Sequence, residues 1–541
     1  MFAGLLLQPL MLALAGVAAA APTSSARCAS LWETAPKHLA SLEVYVAQDY
    51  PEGTNFTEPT AIVGYNTPVP HLPAFCRFGA YVHTSNSSKT QFEVWLPTDS
   101  WNGRFAMVGN GGDAGGVNYP DMWGPIKNYG FAVASTDAGH NGTSGDGTFA
   151  ISAPEVVRDF QDRAVHLTAV YSKQIIELFY SDKPSTSYWF GCSSGGKQGL
   201  RDLQQYPEDF DGTLAGAAAQ WWTHLNYATY AVNAYINVLN STGFLAPADY
   251  ALIGQEVLSQ CDELDGLKDG IILDPRLCKP DLSSLVCAGA KQDGCLIKEQ
   301  ADTMYEIWSN RTRESTGEWL FPGFEPGAEA SPAFSVNGVP YGPAPDFFEY
   351  QILNKTEITT FNASRSELED KLLPLADEID RTNAIDGYIA PYLKRGKLLT
   401  YVGMADTLIP SGSTLWYYEH VRESLGYPED LDNAYRMFLV PGMNHCSGGT
   451  AAYNFGGPGQ RDNSLNGTSA SAVFDRKHDM ILALMDWVEN DIAPDVIIGS
   501  KYVQNDRRLG IEFQRKLCPY PQQGVYIGGD PNSADSFECK Y

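Results

Sequence analysis

The sequence predicts an α/β fold, in which parallel strands alternate with helices around one sheet. Apolar runs typical of strands lie at 92–108, 130–135 and 187–191. Between the second and third runs, residues 157–180 carry apolar side chains at helical spacing. This alternation is typical of parallel strands joined by crossover helices.

A long insertion divides the predicted sheet into two halves. From Trp221 to Tyr392 the strand–helix alternation stops, and Cys, Asp, Gly and Pro crowd together. The alternation resumes at Lys397 (KLLTYVGMAD) and again at Arg436 (RMFLVPGMNH). We expect the insertion to cover the carboxyl ends of the strands, where α/β sheets bind ligands. The predicted division is a sheet domain of 21–220 and 393–541 and an inserted domain of 221–392.

Composition narrows the classes of function. The chain has 541 residues, 44% hydrophobic and 19% charged, enough apolar material for a large core. Its formal net charge is −27 and its pI is about 4.6. Such an acidic surface repels phosphate backbones and anionic lipids, so neither nucleic acid nor a membrane is expected as a partner.

Three features indicate secretion. Residues 1–20 form an apolar run that ends in small residues, as in a signal peptide. The ten cysteines are an even number, as expected for five disulfides in an oxidising compartment. Eight N-x-S/T sequons add glycosylation to the prediction. They are Asn55, Asn86, Asn141, Asn240, Asn310, Asn354, Asn362 and Asn466.

A candidate nucleophile lies at Ser193, in the G-x-S-x-G sequence Gly191 to Gly195. A strand-like segment precedes it and a helical segment follows. Small residues on both sides of the serine permit the sharp strand-to-helix turn that exposes its hydroxyl. The helix N-terminus behind the serine places backbone N–H groups near developing negative charge. An ordinary Gly/Ser turn is the alternative interpretation.

A serine nucleophile needs a histidine base and an acid that orients the base. On a hydrolase sheet of this type the chain order is Ser, then Asp or Glu, then His. Asp406 follows the strand LLTYVG, and His445 follows the strand MFLV and a turn. Each residue alone would more often be structural, but the order and the strand context favour a triad of Ser193, Asp406 and His445.

Cysteines flank two of these residues: Cys192 precedes Ser193 and Cys446 follows His445. A disulfide holds its two Cα atoms about 4.4–6.8 Å apart, so a Cys192–Cys446 bond would bring the serine and the histidine together. The other eight cysteines fall into plausible local or terminal pairs, although sequence alone leaves connectivity open. Those pairs are Cys28–Cys76, Cys261–Cys278, Cys287–Cys295 and Cys518–Cys539.

The Cys-Ser, Asp and His-Cys arrangement resembles the tannase and feruloyl esterase family of secreted fungal esterases. The likeness extends over nearly the whole chain after residue 20. It implies an α/β-hydrolase fold with a large inserted lid domain, and hydrolysis of esters of plant phenolic acids. It also implies the roles of nucleophile for Ser193, acid for Asp406 and base for His445.

The oxyanion donors are predicted from backbone position. The first is the N–H of Ser194, the residue after the nucleophile. The turn Gly109 to Gly112 follows a strand and is placed like the glycine-rich oxyanion loop of lipases. We therefore expect the second donor at Gly111 or Gly112. A dinucleotide-binding loop is disfavoured, because no strand–loop–helix unit surrounds the turn.

An acidic loop in the insertion is a candidate calcium site. Residues 261–271 (CDELDGLKDGI) place three aspartates within eight residues, with glycines that permit tight turns. A solvated acidic turn is an equally good interpretation of the loop alone. The family resemblance implies a structural Ca²⁺ held by the side chains of Asp262, Asp265 and Asp269 and the carbonyls of Leu267 and Ile271.

The function predicted from these observations is an esterase with a covalent acyl-enzyme and no organic cofactor. Its expected substrates are small phenolic esters and feruloylated plant cell-wall saccharides, with hydroxycinnamates preferred. Galloyl esters, the substrates of tannases, are the first alternative. A non-catalytic, calcium-stabilised binding protein and a serine peptidase of the same fold are the others. The oligomeric state stays open.

The insertion begins with aromatic residues, Trp221, Trp222, Tyr227 and Tyr230. We expect the lid to supply aromatic walls that stack on a phenolic ring. These four rings are candidates for that role. An equally good interpretation is that they form the core of the insertion.

Overall fold

A nine-stranded mixed sheet forms the centre of the molecule in the computed structural model, which describes residues 23–462, 468–469 and 471–541. The strand order is β1-β4-β5-β7-β6-β8-β9-β12-β13. The strands in chain order are β1 (Leu42–Tyr50), β2 (Thr54–Phe56), β3 (Val69–Leu72), β4 (Phe75–His83), β5 (Lys89–Pro97), β6 (Arg104–Val108), β7 (Ala132–Thr136), β8 (Thr186–Cys192), β9 (Gly212–Gly216), β10 (Arg311–Thr312), β11 (Trp319–Phe321), β12 (Lys397–Gly403), β13 (Tyr435–Val440), β14 (Arg461–Asp462), β15 (Thr468–Ser469), β16 (Ile497–Tyr502), β17 (Ile511–Leu517), β18 (Gln523–Tyr526) and β19 (Phe537–Lys540).

Helices cover the sheet and build most of the insertion. In chain order they are α1 (Ser24–His38), α2 (Tyr119–Tyr129), α3 (Pro154–Arg158), α4 (Ala164–Tyr180), α5 (Ser194–Gln205), α6 (Trp222–Ala231), α7 (Pro247–Cys261), α8 (Lys298–Trp308), α9 (Pro343–Asp346), α10 (Arg365–Glu367), α11 (Leu373–Ile379), α12 (Ala390–Leu393), α13 (Ser411–Ser424) and α14 (Met480–Asn490). A π-helical turn, Asp159–Arg163, joins α3 to α4.

The sheet is parallel on one side and antiparallel on the other. Strands β7, β6, β8, β9, β12 and β13 run parallel to one another, as the strand–helix alternation predicts. Strands β1, β4 and β5 form an antiparallel edge that joins the parallel part at β7. This edge was not predicted, because no helix lies between β1, β4 and β5 in the chain to mark their pairing.

Both faces of the sheet are buried. Neighbouring residues on a strand point to opposite faces, so Tyr188 and Trp189 of β8 enter different cores. Tyr188 packs in the cluster that includes Trp487 of α14, and Trp189 packs in the cluster that includes Ile176 of α4. All four side chains are buried. Burial on both faces explains why these strands read as continuous apolar runs in the sequence.

The insertion lies between β9 and β12 and contributes no strand to the nine-stranded sheet. Within it, the described residues form seven helices, α6 to α12, and the short pair β10–β11. Val257 of α7 and Met304 of α8 belong to an apolar core located entirely within the insertion. The insertion therefore has its own hydrophobic centre.

Five disulfides link the chain, and they join the pairs that the sequence favoured. The described part of the chain contains no free cysteine. Within the same residues, each helix is too short or too polar to cross a bilayer. The predicted signal peptide, residues 1–20, lies outside the described residues.

Candidate active site

Ser193 lies on a sharp turn between β8 and α5. Its backbone has φ 62° and ψ −127°, a strained combination for a residue with a side chain. The turn needs glycines on both sides: a Cβ at Gly191 would lie 2.3 Å from the carbonyl oxygen of Gly195. The Ser193 N–H donates to the carbonyl of Gly216 at 2.9 Å, which fixes the turn against β9. This is the strand-to-helix turn that the motif predicts.

Asp406 and His445 form a hydrogen-bonded pair at the same edge of the sheet as Ser193. Asp406 follows β12 and His445 follows β13, so both lie beyond the carboxyl ends of parallel strands. The Nδ1 of His445 lies 2.8 Å from the Oδ2 of Asp406. The other carboxylate oxygen accepts the N–H groups of Leu408 and Ile409, at 2.9 and 2.8 Å. The carboxylate of Asp406 is therefore held by three donors.

The environment sets the basicity of His445. Burial by itself would lower the pKa of the imidazole, but the charge of Asp406 and the hydrogen bond to it raise the pKa above its usual value. The side chain of His445 keeps 19% of its surface exposed, whereas that of Asp406 is fully buried. The accessible imidazole can therefore exchange protons, while the aspartate stays a fixed charge behind it.

A disulfide joins the nucleophile turn to the histidine loop. Cys192 and Cys446 are bonded, with their Cα atoms 6.1 Å apart and a sequence separation of 254. Each cysteine is adjacent to one of the two predicted catalytic residues. Cys446 has a positive φ of 62°, so the chain turns sharply directly after His445. The bond therefore brings the loops of Ser193 and His445 together.

The chain belongs to the tannase and feruloyl esterase family. The family model described as "Tannase and feruloyl esterase" matches residues 76–540. This membership makes the protein a carboxylic ester hydrolase.

Individual relatives agree with the family model over almost the whole chain. A protein of Aspergillus terreus named "Probable feruloyl esterase B-2" is 35% identical over 93% of this chain and 93% of its own length. The crystal structure of an esterase from Aspergillus oryzae matches 96% of this chain and all of its own, at 33% identity and a TM-score of 0.87. That of feruloyl esterase B from Aspergillus oryzae has the same coverage, at 32% identity and a TM-score of 0.85.

The first turn of α5 offers N–H groups for an oxyanion, as in other α/β-hydrolases. In the described structure the N–H groups of Ser194 and Gly195 have no hydrogen-bond acceptor.

The two glycines predicted as second donors differ in whether their N–H group already has an acceptor. Gly111 donates its N–H to the hydroxyl of Tyr65 at 2.9 Å, whereas Gly112, with φ 57°, has no such partner among the described residues. Of the two glycines, Gly112 is therefore the better candidate.

Gln198 fixes the glycine turn to the nucleophile helix, and the sequence analysis missed this residue. Its Oε1 accepts the N–H of Asn110 at 2.9 Å, and its Nε2 donates to the Oδ1 of Asn110 at 3.1 Å. A Cβ at Gly109 would lie 2.5 Å from the Cα of Gly195, so the two backbones are in contact. Only tertiary structure reveals the role of Gln198, since a glutamine on a helix is common.

Two buried charges lie next to the nucleophile turn. The Nζ of Lys197 lies over the rings of Trp222 and Phe160, 3.9 and 4.6 Å from their centroids. Burial lowers the pKa of Lys197. Burial also raises the pKa of Asp113, and the nearby charge of Lys197 opposes that rise. Trp222 thus packs on the catalytic domain at the base of the lid.

Three of the four aromatic residues at the start of the lid are buried. Trp222, Tyr227 and Tyr230 are at most 5% exposed and belong to one apolar cluster. The Tyr227 hydroxyl donates to Glu369 at 2.8 Å. Trp221 stacks on Trp416 with the ring centroids 4.2 Å apart. The described structure thus favours the interpretation of Trp222, Tyr227 and Tyr230 as core residues, whereas Trp221 is half-buried.

A cavity of about 320 Å³ lies between the lid and the loops of the Asp406–His445 pair. Its walls include Ala405 and Asn444, which directly precede the two predicted catalytic residues. The lid contributes Ala330 and Ser331, and the amide of Asn444 donates to the Ser331 hydroxyl at 2.9 Å. This volume is large enough for a small molecule.

The acidic loop of the lid brings hard oxygen donors onto one curled segment. The Oδ1 of Asp262 accepts the N–H groups of Asp269 and Gly270, at 3.2 and 2.9 Å. Burial raises the pKa of Asp265, and the charges of Asp269 and Asp262 add to the rise. The Oδ2 of Asp269 pairs with Arg515 at 2.5 Å.

This donor set suits Ca²⁺ in type, because carboxylates and backbone carbonyls are its preferred ligands. The three aspartates are farther apart than the ligands of a bound ion would be, because among the described residues their carboxylate oxygens do not all lie within 4.8 Å of one another. Arg515 would compete with the ion for the Oδ2 of Asp269. The calcium assignment stays a prediction.

The sequons lie on the surface wherever the structure describes them. Seven of the eight predicted glycosylation sites are exposed, and Asn466 lies outside the described residues. The exposed sites are Asn55, Asn86, Asn141, Asn240, Asn310, Asn354 and Asn362. Exposure permits glycosylation, which stays a prediction.

Proposed function

We propose that this family member is a secreted feruloyl esterase, which releases ferulate and related hydroxycinnamates from esterified plant cell-wall saccharides. The observation that carries the proposal is the hydrogen-bonded Asp406–His445 pair, joined through the Cys192–Cys446 disulfide to the Ser193 turn. This arrangement supplies a base and its orienting acid next to a serine on a nucleophile turn.

The proposed reaction has two halves. In the first, the Ser193 hydroxyl attacks the ester carbonyl while the Nε2 of His445 takes its proton. Asp406 holds the imidazole through Nδ1 and stabilises the positive charge that forms. The N–H groups of Ser194 and Gly112 bind the oxyanion. His445 then returns the proton to the alcohol oxygen as the carbon–oxygen bond breaks, leaving a feruloyl ester on Ser193.

In the second half, water replaces the alcohol. His445 removes a proton from the water, whose oxygen attacks the feruloyl carbonyl. The new oxyanion occupies the same N–H groups. When it collapses, His445 protonates the Ser193 oxygen and the acid is released. The protein therefore returns to its starting state with one ester and one water consumed.

We assign the alcohol half of the substrate to the cavity between the lid and the histidine loop, which is lined by neighbours of Asp406 and His445 and not by the catalytic side chains themselves. His445 protonates the leaving oxygen, so the alcohol leaves on the side of this residue. The cavity of about 320 Å³ is adjacent to that loop, at Asn444. It has room for a sugar ring and presents hydroxyl groups at Ser331 and Thr450. A feruloylated saccharide would therefore contact the lid through its sugar.

We propose hydroxycinnamate esters rather than galloyl esters as the substrates, because of the names that similar proteins carry. The curated relative from Aspergillus terreus and the Aspergillus oryzae structure at 32% identity both carry the name feruloyl esterase B. Tannase activity remains the second candidate, because the family model covers both activities. Five disulfides and exposed sequons support the extracellular location.

The lid loop holds a structural Ca²⁺ in this proposal. The side chains of Asp262, Asp265 and Asp269 would bind it, together with the carbonyls of Leu267 and Ile271. The ion supplies positive charge that cancels repulsion between the carboxylates. No step of the reaction involves it.

A substrate panel with one variant tests the function. Wild-type protein and Ser193→Ala are assayed on methyl ferulate, methyl caffeate, methyl gallate, a feruloylated arabinose and the amide of ferulate. We expect turnover of the hydroxycinnamate esters by the wild type only. Faster turnover of methyl gallate would favour a tannase, and turnover of the amide a peptidase. Ferulate release that survives Ser193→Ala would contradict the proposed enzyme.

A further inference from the structure

Three metal-binding side chains meet at the far end of the nucleophile helix. His166 lies on α4, Asp202 lies on α5, and Asp209 lies on the loop that follows α5. One ligand atom from each lies within 4.8 Å of the others. It is the one group of this kind that the described residues form.

Asp202 has no side-chain hydrogen-bond partner and no ion pair among the described residues. Its side chain is 2% exposed, and neither carboxylate oxygen has a hydrogen-bond partner among the described residues. A buried carboxylate without a partner is destabilising unless it is protonated or a cation compensates its charge. A bound cation would stabilise the charged form.

The neighbouring arginines pair with other carboxylates, and Lys173 is close enough for its charge to act on Asp202 without a direct bond. Arg201 pairs with Asp162 at 3.1 Å, and Arg395 pairs with Asp211 at 2.9 Å. Lys173 donates to the backbone carbonyl of Asp209 rather than to a carboxylate.

His166 is the remaining neighbour, and it faces Asp209. Its Nδ1 lies 2.7 Å from the Oδ2 of Asp209, and its ring stacks on Tyr206. No ion pair among the described residues involves Asp202. The cluster thus combines two carboxylates and one imidazole, and Lys173 lies close to it without contacting either carboxylate.

We propose that His166, Asp202 and Asp209 bind one divalent transition-metal ion of the Zn²⁺ class. One imidazole and two carboxylates are ligands that zinc accepts, at about 2.0–2.2 Å from the metal. Ligand atoms at that distance lie about 3–4 Å apart, so the present separations need only small adjustments. The side chain of His166 is 28% exposed, which leaves an entry path and room for a water ligand.

The ion would be structural. Asp202 follows Ser193 by nine residues, which is about 13 Å along a helix axis, so the metal would not touch the substrate. Instead, it would join α4, α5 and the loop after α5 at one point. It would also neutralise the buried charge of Asp202. The site differs from the calcium loop of the lid, which offers oxygen ligands only.

Zinc content after dialysis tests this site. Wild-type protein, Asp202→Asn and Asp211→Asn are dialysed against buffer with excess Ca²⁺ and micromolar Zn²⁺, and bound metals are measured by mass spectrometry. Asp211 is the matched control, because it lies close by in the chain and pairs with Arg395 instead. We expect one zinc per chain in the wild type and in Asp211→Asn. In Asp202→Asn, zinc affinity should fall by roughly tenfold or more.

A second measurement keeps the test independent of the variants' folding. Zn²⁺ added to metal-free wild type should raise Tm, whereas it should leave the Tm of a folded Asp202→Asn unchanged. Co²⁺ should give the visible absorption of a nitrogen- and oxygen-ligated ion in the wild type. Metal-free wild type that binds neither ion, or a zinc content equal in wild type and Asp202→Asn, would overturn the proposal. Ester hydrolysis is not needed for either outcome.

Discussion

The Nδ1 of His445 lies 2.8 Å from the Oδ2 of Asp406, although the two residues lie on loops that follow different strands. Two backbone N–H groups hold the other oxygen of the same carboxylate. The carboxylate therefore has one orientation, and the imidazole that it binds has one tautomer, with Nε2 free to accept a proton. A base prepared in this way is what a serine nucleophile requires.

Replacing Asp406 with Asn should remove the charge but keep the shape. We expect kcat on methyl ferulate to fall by roughly 10³–10⁴-fold with little change in KM, because the imidazole loses its orienting charge. Asp475→Asn is the matched control: Asp475 also bonds a histidine, His478, at 2.8 Å, but far from Ser193 in the chain. Equal losses in the two variants would show that any Asp–His pair has this effect.

The pH dependence of kcat/KM should report His445. The imidazole must be neutral to accept a proton, so activity falls as pH falls through its pKa. Because Asp406 raises that pKa, the acidic limb should lie above the usual histidine value of about 6.5. In Asp406→Asn burial acts without the opposing charge, so the limb should move to lower pH. An acidic limb at the same pH in both proteins would assign it to another group.

The Cys192–Cys446 disulfide should matter more for activity than the other bonds. Replacing both cysteines with serine frees the two loops, and we expect kcat to fall by about 10²-fold, since small misplacements of reacting groups are costly. Stability should fall by about 2–5 kcal/mol. The control is Cys287→Ser with Cys295→Ser, which opens a loop of eight residues in the lid. Its kcat should be unchanged.

Removal of calcium should affect stability and not chemistry. With EGTA, we expect a lower Tm and an almost unchanged kcat at room temperature, because the loop lies in the lid and takes no part in the reaction. Asp265→Asn should give the same low Tm and no further loss with EGTA. Glu263→Gln serves as control, since this exposed loop residue pairs with Lys268 at 3.2 Å. If neither EGTA nor added Ca²⁺ changes the Tm of the wild type, the protein does not hold the proposed calcium ion.

Filling the lid cavity should separate large from small alcohols. Ala330→Trp places a large ring in the cavity. The value of kcat/KM for a feruloylated arabinose should therefore fall at least about tenfold, which is the discrimination that one methylene group in a pocket can produce. Methyl ferulate has a small alcohol and should be hydrolysed as before. Equal losses on both esters would place the alcohol elsewhere. Tm of the variant reports whether the lid still folds.

Local patterns in the sequence were enough for the parallel half of the sheet and for the Ser193 turn. Alternating strands and helices, and a serine between glycines, are encoded in consecutive residues. The antiparallel strands β1 and β4 were missed, since their pairing depends on partners elsewhere in the chain. The Cys192–Cys446 disulfide was a distant contact that the sequence predicted, because each cysteine is adjacent to a predicted catalytic residue.

Features that depend on tertiary contact were beyond the sequence. No pattern shows that Tyr65 accepts the N–H of Gly111, or that Gln198 bonds both polar groups of Asn110. The aromatic residues that begin the lid could equally have been pocket or core, and only burial distinguishes the two. The cluster around Asp202 is likewise invisible, because its members come from two helices and a loop.

The most direct measurement on the nucleophile is mass spectrometry of protein quenched in acid during turnover of methyl ferulate. The peptide that contains Ser193 should carry one feruloyl group. In Asp406→Asn the labelled fraction should increase if hydrolysis of the acyl-enzyme slows more than its formation. Unlabelled Ser193, together with ferulate release by Ser193→Ala at the wild-type rate, would contradict the acyl-enzyme mechanism.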